Sequence, residues 1–157
     1  SCTRCSKSTS RPFPDAEESL TTALAAAKRE DKRVVVHLVH RDDVLDLLLS
    51  RFLEKSRKVL EWDYVLVEID ERARNTNVVL KRLPKDKHGV AASLTVLEAE
   101  GKVLEESDDT TSGDGNFAFP ILPTEILHLK QVFKETARRM KQEELEGLVK
   151  ELKTWNE

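Results

Sequence analysis

Three aspartates, Asp42, Asp43 and Asp46, follow the β-branched apolar run Arg33–Val39. Asp43 and Asp46 are three residues apart, so on a helix they share a face and could form an acid–base or metal-binding pair. Acidic residues are also common at helix N-termini, where they cap free N–H groups and complement the helix dipole. A hard cation takes six or more oxygen ligands, and no dense acidic loop stands here. We therefore favour capping and expect no metal.

Two histidines lie close to these aspartates, one inside the apolar run and one just after it. His40 could pair with Asp43 and act as a base, although no serine or cysteine nucleophile is near in sequence. His37 alternates with apolar neighbours, so we expect a buried, hydrogen-bonded side chain rather than a catalytic one.

Both cysteines of the chain, Cys2 and Cys5, form a single Cys-x-x-Cys. The pair could be redox-active, could be half of a zinc site, or could be an inert or locally bridged pair in a tail. No second ligand pair follows, and Ser/Thr/Lys-rich residues and two prolines separate the thiols from the first helix. We favour the inert interpretation and assign residues 1–14 to a flexible tail and 15–157 to one domain.

The composition excludes several classes of protein. The chain has 157 residues, 39% of them hydrophobic and 35% charged, with a net charge of −3. This charge balance argues against nucleic-acid binding, and no apolar run approaches the ~20 residues of a membrane span. We expect a monomer without cofactors. A cysteine near the start is also compatible with a lipidated bacterial protein, so a periplasmic or cell-envelope location is slightly favoured over the cytoplasm.

Hydrophobic periodicity predicts alternating helices and strands. Asp15, with Glu18 three residues on, predicts the start of the first helix, and Thr124 is a candidate cap for a later one. The first half of the chain is predicted to form a helix ending near Glu30, a strand Arg33–Val39, a helix from Val44 toward Leu60, a strand Tyr64–Ile69 and a short helix Asn77–Leu83. A hairpin Ser93–Glu105 and a loop Ser107–Asn116 follow, and then an apolar segment Phe117–Pro123 that drapes over the domain. The chain is predicted to end with a helix from Thr124 to about Met140 and a last helix that reaches Trp155. The order implies a mixed sheet of about four strands with helices on both faces.

The order of elements and three local motifs resemble the thioredoxin-like family. Ala25–Leu38 resembles the entry into the family's first strand, and Val67–Asp70 resembles its second strand. The hairpin Leu94–Leu104 reads LTVLEAEGKVL and is similar to the family's L-x-V-L-D-x-D-G-K-V-L. The resemblance implies an α/β three-layer sandwich over about Asp15 to Trp155.

Two departures from the family pattern bear on activity. The family has Cys-x-x-Cys after the first strand, and Asp43 and Asp46 stand in those positions here. The family's cis-proline position holds Ala92, and a non-proline cis bond costs about 2.5–4 kcal/mol, so we expect a trans peptide. Disulfide exchange needs a thiolate, which a carboxylate cannot replace.

The sequence therefore predicts a redox-inactive thioredoxin-like domain that binds an unidentified protein or peptide. The predicted surface combines residues after the first strand with residues before the hairpin: His40, Arg41, Asp42, Asp43, Asp46, Ala91, Ala92 and Ser93. Two alternatives stay open at this point. One is a thiol–disulfide oxidoreductase that uses Cys2 and Cys5, and the other is a metal-binding or hydrolytic site at Asp42–Asp46.

Overall fold

A computed structural model describes residues 13–85, 89–109, 115–116 and 119–155 of the chain. Its main sheet contains strands β1 (Arg33–Val39), β2 (Tyr64–Asp70), β3 (Leu94–Leu97) and β4 (Val103–Glu106), in the order β2-β1-β3-β4. β1 and β2 are parallel, whereas β3 runs antiparallel to both β1 and β4. The mixed four-stranded sheet predicted from the sequence is confirmed.

Among the described residues, six helices accompany the sheet. They are α1 (Ala16–Glu30), α2 (Val44–Lys55), α3 (Arg57–Leu60), α4 (Thr76–Leu80), α5 (Pro123–Thr136) and α6 (Gln142–Thr154). Asp15 caps α1 by accepting a hydrogen bond from the Glu18 N–H at 3.1 Å, as its position predicts. None of the described helices is long and apolar enough to cross a lipid bilayer.

Alternate residues of β1 divide the interior into two cores. Val34, Val36 and Leu38 pack with α1 on one face, while Val35 packs on the other face with α2, α5 and α6. A strand buried on both faces has a nearly continuous apolar sequence, which explains why β1 was recognisable. The predicted α/β class with helices on both faces is confirmed.

A buried carboxylate joins the sheet to the C-terminal helices. Asp63 directly precedes β2, and its Oδ1 accepts hydrogen bonds from the backbone N–H groups of Arg138 and Arg139 at 2.8 Å each. Its Oδ2 accepts one from the Met140 N–H at 2.8 Å. These bonds hold the connection between α5 and α6 in a non-helical conformation, which is why α5 ends at Thr136 and does not continue to Met140 as predicted.

Four further boundaries differ from the predictions. The second helix breaks at Ser56, whose ψ of 6° interrupts it, and the short helix ends at Leu80 rather than Leu83. Leu122, not Thr124, is the N-cap residue of α5, with Pro123 in the first turn and the Glu125 carboxylate accepting from the Leu122 N–H at 2.9 Å. Part of the predicted loop forms a short antiparallel ladder, β5 (Asp108–Asp109) with β6 (Gly115–Asn116).

The hairpin and the apolar segment after the loop agree more closely with the predictions. Gly101 adopts a φ of 97° in the turn between β3 and β4, a conformation that glycine accepts without strain. Phe119, from the segment predicted to drape over the domain, is buried in the core, and its ring centroid lies 6.5 Å from that of Trp155. Phe117 and Ala118 lie outside the described residues.

Candidate functional site

The C-terminal end of β1 leads directly into the start of α2. Asp43 is the N-cap residue of α2, and its Oδ1 accepts a hydrogen bond from the Leu45 N–H at 2.8 Å. Its side chain is exposed to solvent. The carboxylate therefore acts as the helix cap, which is the interpretation that its position favoured over a metal ligand.

Asp46 lies one turn further along α2 and is completely buried. Its Oδ2 accepts hydrogen bonds from the His40 backbone N–H at 2.9 Å and from His40 Nδ1 at 2.8 Å. The predicted His40–Asp43 pair is wrong, because Asp43 bonds to its own helix while Asp46 points back toward the end of β1. Within the described chain, Asp46 Oδ1 has no hydrogen-bond partner.

The imidazole of His40 bridges two carboxylates. A carboxylate oxygen at Nδ1 can only accept, so Nδ1 carries a proton, and Nε2 lies 3.4 Å from the Glu71 Oε2. The His40 side chain is 46% exposed, whereas the Asp46 side chain is only 1% exposed. The arrangement ties the end of β1 to α2 and to the residue after β2, and it leaves one side of the imidazole in contact with solvent.

Arg41 extends from the same turn toward the end of β2. Its Nε donates to the Asp70 Oδ2 at 2.7 Å, and Arg72 donates to the other carboxylate oxygen at 3.3 Å. Burial raises the pKa of Asp70, but the hydrogen bonds from Arg41 and Arg72 outweigh it and hold the pKa below the ordinary value. Both guanidinium groups also lie over the Phe13 ring, at 5.4 and 4.8 Å from its centroid.

Ala91, Ala92 and Ser93 lie beside this turn because they continue the line of β3. The Leu38 N–H donates to the Ser93 carbonyl at 2.9 Å, which extends the β1–β3 pairing by one residue. Ala92 is buried, and no described residue has a cis peptide bond, so the bonds on either side of Ala92 are trans as expected. Ala91 forms a bridge with Lys85.

Apolar side chains are exposed around these polar groups. Val44 and Leu47, in the first turn of α2 after the cap, are 68% and 36% exposed, and Val90, next to Ala91, is 52% exposed. Asp42 is also exposed. The end of β1 thus presents apolar contact area bordered by charges of both signs.

His37 is buried beneath this surface, as predicted, on the α2 face of β1. Its Nδ1 faces both Ser50 Oγ at 3.4 Å and Glu68 Oε2 at 3.5 Å. A catalytic triad needs the nucleophile and the carboxylate at opposite ring nitrogens, so these three residues are not a triad. The hydrogen bond from His37 holds the pKa of Glu68 below its ordinary value, against the effect of burial.

Neither metal nor thiol chemistry is visible at this site. In the part of the chain that the structure describes, no group of three or more His, Cys, Asp or Glu side chains is arranged to hold a metal ion. Cys2 and Cys5, the chain's only cysteines, lie outside the described residues. Carboxylates occupy both positions at which the resemblance places sulfur.

Two contributors to the site, Glu71 and Phe13, and the inward position of the predicted site residue Asp46 were not predicted from the sequence. Glu71 could have been found, because the carboxyl ends of parallel neighbours β1 and β2 meet at one edge of the sheet. Asp46 shares the helical spacing of the buried residues Leu49 and Leu53, which indicates an inward position. Phe13 stands in the segment assigned to the tail, and no local pattern marks its contact with Arg41.

The comparison with solved structures found a match along nearly the whole chain. The disulphide isomerase from Xylella fastidiosa Temecula1 matches with a TM-score of 0.52 and 20% sequence identity, over 95% of this chain and 99% of that chain. The chain has a thioredoxin-like fold. At this identity the likeness extends to the fold alone and not to the activity. No family model matches the sequence, and no curated protein matches it.

Proposed function

We propose that this thioredoxin-like chain is a redox-inactive domain that binds a protein or peptide partner at the C-terminal end of β1. The observation that carries the proposal is the pair of carboxylates, Asp43 capping α2 and Asp46 buried against His40. Thiol–disulfide exchange proceeds through attack by a thiolate on a disulfide sulfur. Carboxylates that are engaged in capping and hydrogen bonding hold the local structure together but supply no such nucleophile.

Exposed apolar residues support binding rather than a purely structural role. Val44 leaves about two-thirds of its surface in water at 68% exposure, and Leu47 and Val90 add to the same end of the domain. Burying a side chain of this size against a partner contributes about 1.5 kcal/mol. The proposed partner is an extended peptide with one or two apolar residues, which would pack against Val44, Leu47 and Val90.

The test measures binding of the labelled chain to an array of extended peptides that vary in charge and apolar content. We expect a subset to bind, and Val44→Lys to weaken that binding about tenfold, the change that corresponds to 1.4 kcal/mol. Leu127→Lys is the matched control, because Leu127 is equally exposed at 63% but lies on α5.

Two outcomes would count against the proposal. If no peptide in the array binds, or if Val44→Lys and Leu127→Lys weaken binding equally, the end of β1 is not the binding surface. The alternative oxidoreductase that uses Cys2 and Cys5 predicts something different. It requires insulin reduction that Cys2→Ser and Cys5→Ser abolish, whatever the peptide array shows.

A further inference from the structure

The outer edge of β2 is an open strand edge. β2 ends the sheet order β2-β1-β3-β4, and no described residue pairs with its outer side. The middle of the strand, Val65–Val67, is only partly buried although it is entirely apolar. Exposed apolar edge strands are templates for pairing with another strand, so this edge needs a partner or a device that prevents pairing.

The hydrogen bonds at the two ends of β2 show which residues face outward. The Arg33 N–H donates to the Asp63 carbonyl at 3.0 Å, and the Glu71 N–H donates to the Val39 carbonyl at 3.1 Å. Along a parallel pair, alternate residues bond to the same neighbour. With the register Arg33↔Tyr64 to Val39↔Asp70, Val65 and Val67 bond inward to β1. Leu66 and Glu68 therefore direct both their N–H and C=O groups away from the sheet.

From this spacing we infer that the chain forms a two-fold dimer in which β2 of one copy pairs antiparallel with β2 of a second copy. Leu66 of each copy would lie opposite Glu68 of the other, and the two residues of each pair would exchange both backbone hydrogen bonds. Val67 would lie on the two-fold axis. Because two outward residues flank one inward residue, the strand is complementary to itself, as an isologous interface requires.

The side chains on both faces of β2 are compatible with this register. On the α1 face, a groove of about 620 Å³ lies between α1 and β2. Its helical wall contains the small residues Ser19, Ala23 and Ala26, together with Glu18 and Thr22. This groove leaves room for the Val67 side chains of the two copies to meet. On the α2 face, a second groove of about 430 Å³ is lined by Leu66, Glu68 and Arg51.

The charge on the edge does not oppose pairing. Glu68 is the acidic residue in the centre of the interface, and its half-exposed carboxylate lies 3.5 Å from the Nδ1 of His37. Opposite each Glu68 stands the apolar Leu66 of the other copy, so no two carboxylates face each other directly across the strands. This dimer goes beyond the binding proposed at the end of β1, and it departs from the monomer expected from the sequence.

The experiment is sedimentation velocity of the whole chain from micromolar to millimolar concentration, combined with hydrogen exchange of individual amides. We expect a concentration-dependent dimer and protection of the Leu66 and Glu68 amides that is lost on dilution. Val67→Lys places two like charges on the two-fold axis and should shift the protein to monomer. Thr21→Lys, at an exposed position of α1 outside the groove, is the matched charge control and should leave the dimer intact.

Leu66→Pro tests the backbone directly. It removes an outward N–H without deleting a β1–β2 hydrogen bond, and proline is tolerated on edge strands. It should weaken dimerisation about ten- to hundredfold, because the bond is lost twice across the two-fold axis. Circular dichroism checks that each variant folds, and if Leu66→Pro does not, Val67→Lys decides alone.

Three results would overturn the inference. If the chain stays monomeric at millimolar concentration and the Leu66 and Glu68 amides exchange freely, the outer edge of β2 does not pair with another strand. A monomer with protected amides pairs this edge with another segment of its own chain. A dimer that is indifferent to Val67→Lys forms through a different surface.

Discussion

Replacing Asp63 should destabilise the fold more than replacing Asp43, the exposed cap of α2. Asp63 is 2% exposed and accepts hydrogen bonds from three consecutive backbone N–H groups, those of Arg138, Arg139 and Met140. Asp63→Ala leaves all three donors without this acceptor. At about 1 to 1.5 kcal/mol for each bond, the loss is about 3 to 5 kcal/mol.

Asp63→Asn separates the hydrogen bonds from the size of the side chain. The amide oxygen can still accept from Arg138 and Arg139, but the amide nitrogen would face the Met140 N–H, and two donors cannot bond to each other. We therefore expect Asp63→Asn to lose about 1 to 2 kcal/mol. The order of stability should be wild type, then Asn, then Ala.

Urea denaturation followed by circular dichroism measures these differences, and thermal unfolding provides a second reading. In a domain of this size each kcal/mol shifts Tm by about 2–4 °C, so Asp63→Ala should unfold about 10 °C lower. Asp42→Ala is the control, because its exposed carboxylate accepts no hydrogen bond from the described residues, and it should change stability by less than about 0.5 kcal/mol. A loss below 1 kcal/mol for Asp63→Ala would refute the role of this carboxylate.

Three other predictions concern helix starts and the β1 end. Asp43→Ala removes the cap of α2 and should cost about 1 kcal/mol in urea denaturation; no loss would contradict the capping role. The hydrogen bond from the Glu18 N–H holds the pKa of Asp15 below its ordinary value of 3.8, although burial opposes it. The stabilisation by the ionised Asp15 carboxylate is therefore present above pH 3.8 and is lost as the pH falls through the lower folded pKa. In Asp15→Asn, the free energy of unfolding should consequently fall less steeply as the pH is lowered in the acid range. An unchanged pH dependence would contradict this role of Asp15. The double variant Asp43→Cys/Asp46→Cys should form a disulfide, which thiol titration detects. It should also reduce insulin faster than the Asp43→Ser/Asp46→Ser control, because a helix N-terminus lowers thiol pKa values. Free thiols in an oxidising buffer would show that the two positions are not close enough to form a disulfide.

The sequence was informative wherever a local pattern determines structure. The continuous apolar run of β1 predicts a strand buried on both faces, and Asp15 with Glu18 predicts the start of α1. The turn at Gly101 predicts the hairpin because few residues other than glycine tolerate its φ of 97°.

Long-range contacts account for what the sequence could not predict. α5 ends where it does because Asp63, 75 residues away from Arg138, accepts the backbone N–H groups that follow the helix. His40 pairs with Asp46 rather than Asp43 because Asp46, in the first turn of α2, lies on the face of the helix that points into the protein, whereas Asp43 caps the helix and is exposed. The end of α5 is not visible in the neighbouring residues, since it depends on a contact with a distant element. The inward position of Asp46 is indicated by its helical spacing with Leu49 and Leu53, but its pairing with His40 depends on how α2 packs.

The function proposed for the β1 end depends on the absence of thiol chemistry in the whole chain. The most direct measurement is the reduction of insulin disulfides by the wild-type chain in the presence of dithiothreitol. We predict a rate equal to that of dithiothreitol alone, because the two positions at the start of α2 carry carboxylates. A faster rate that Cys2→Ser and Cys5→Ser remove would contradict the proposal and assign the activity to the N-terminal cysteines.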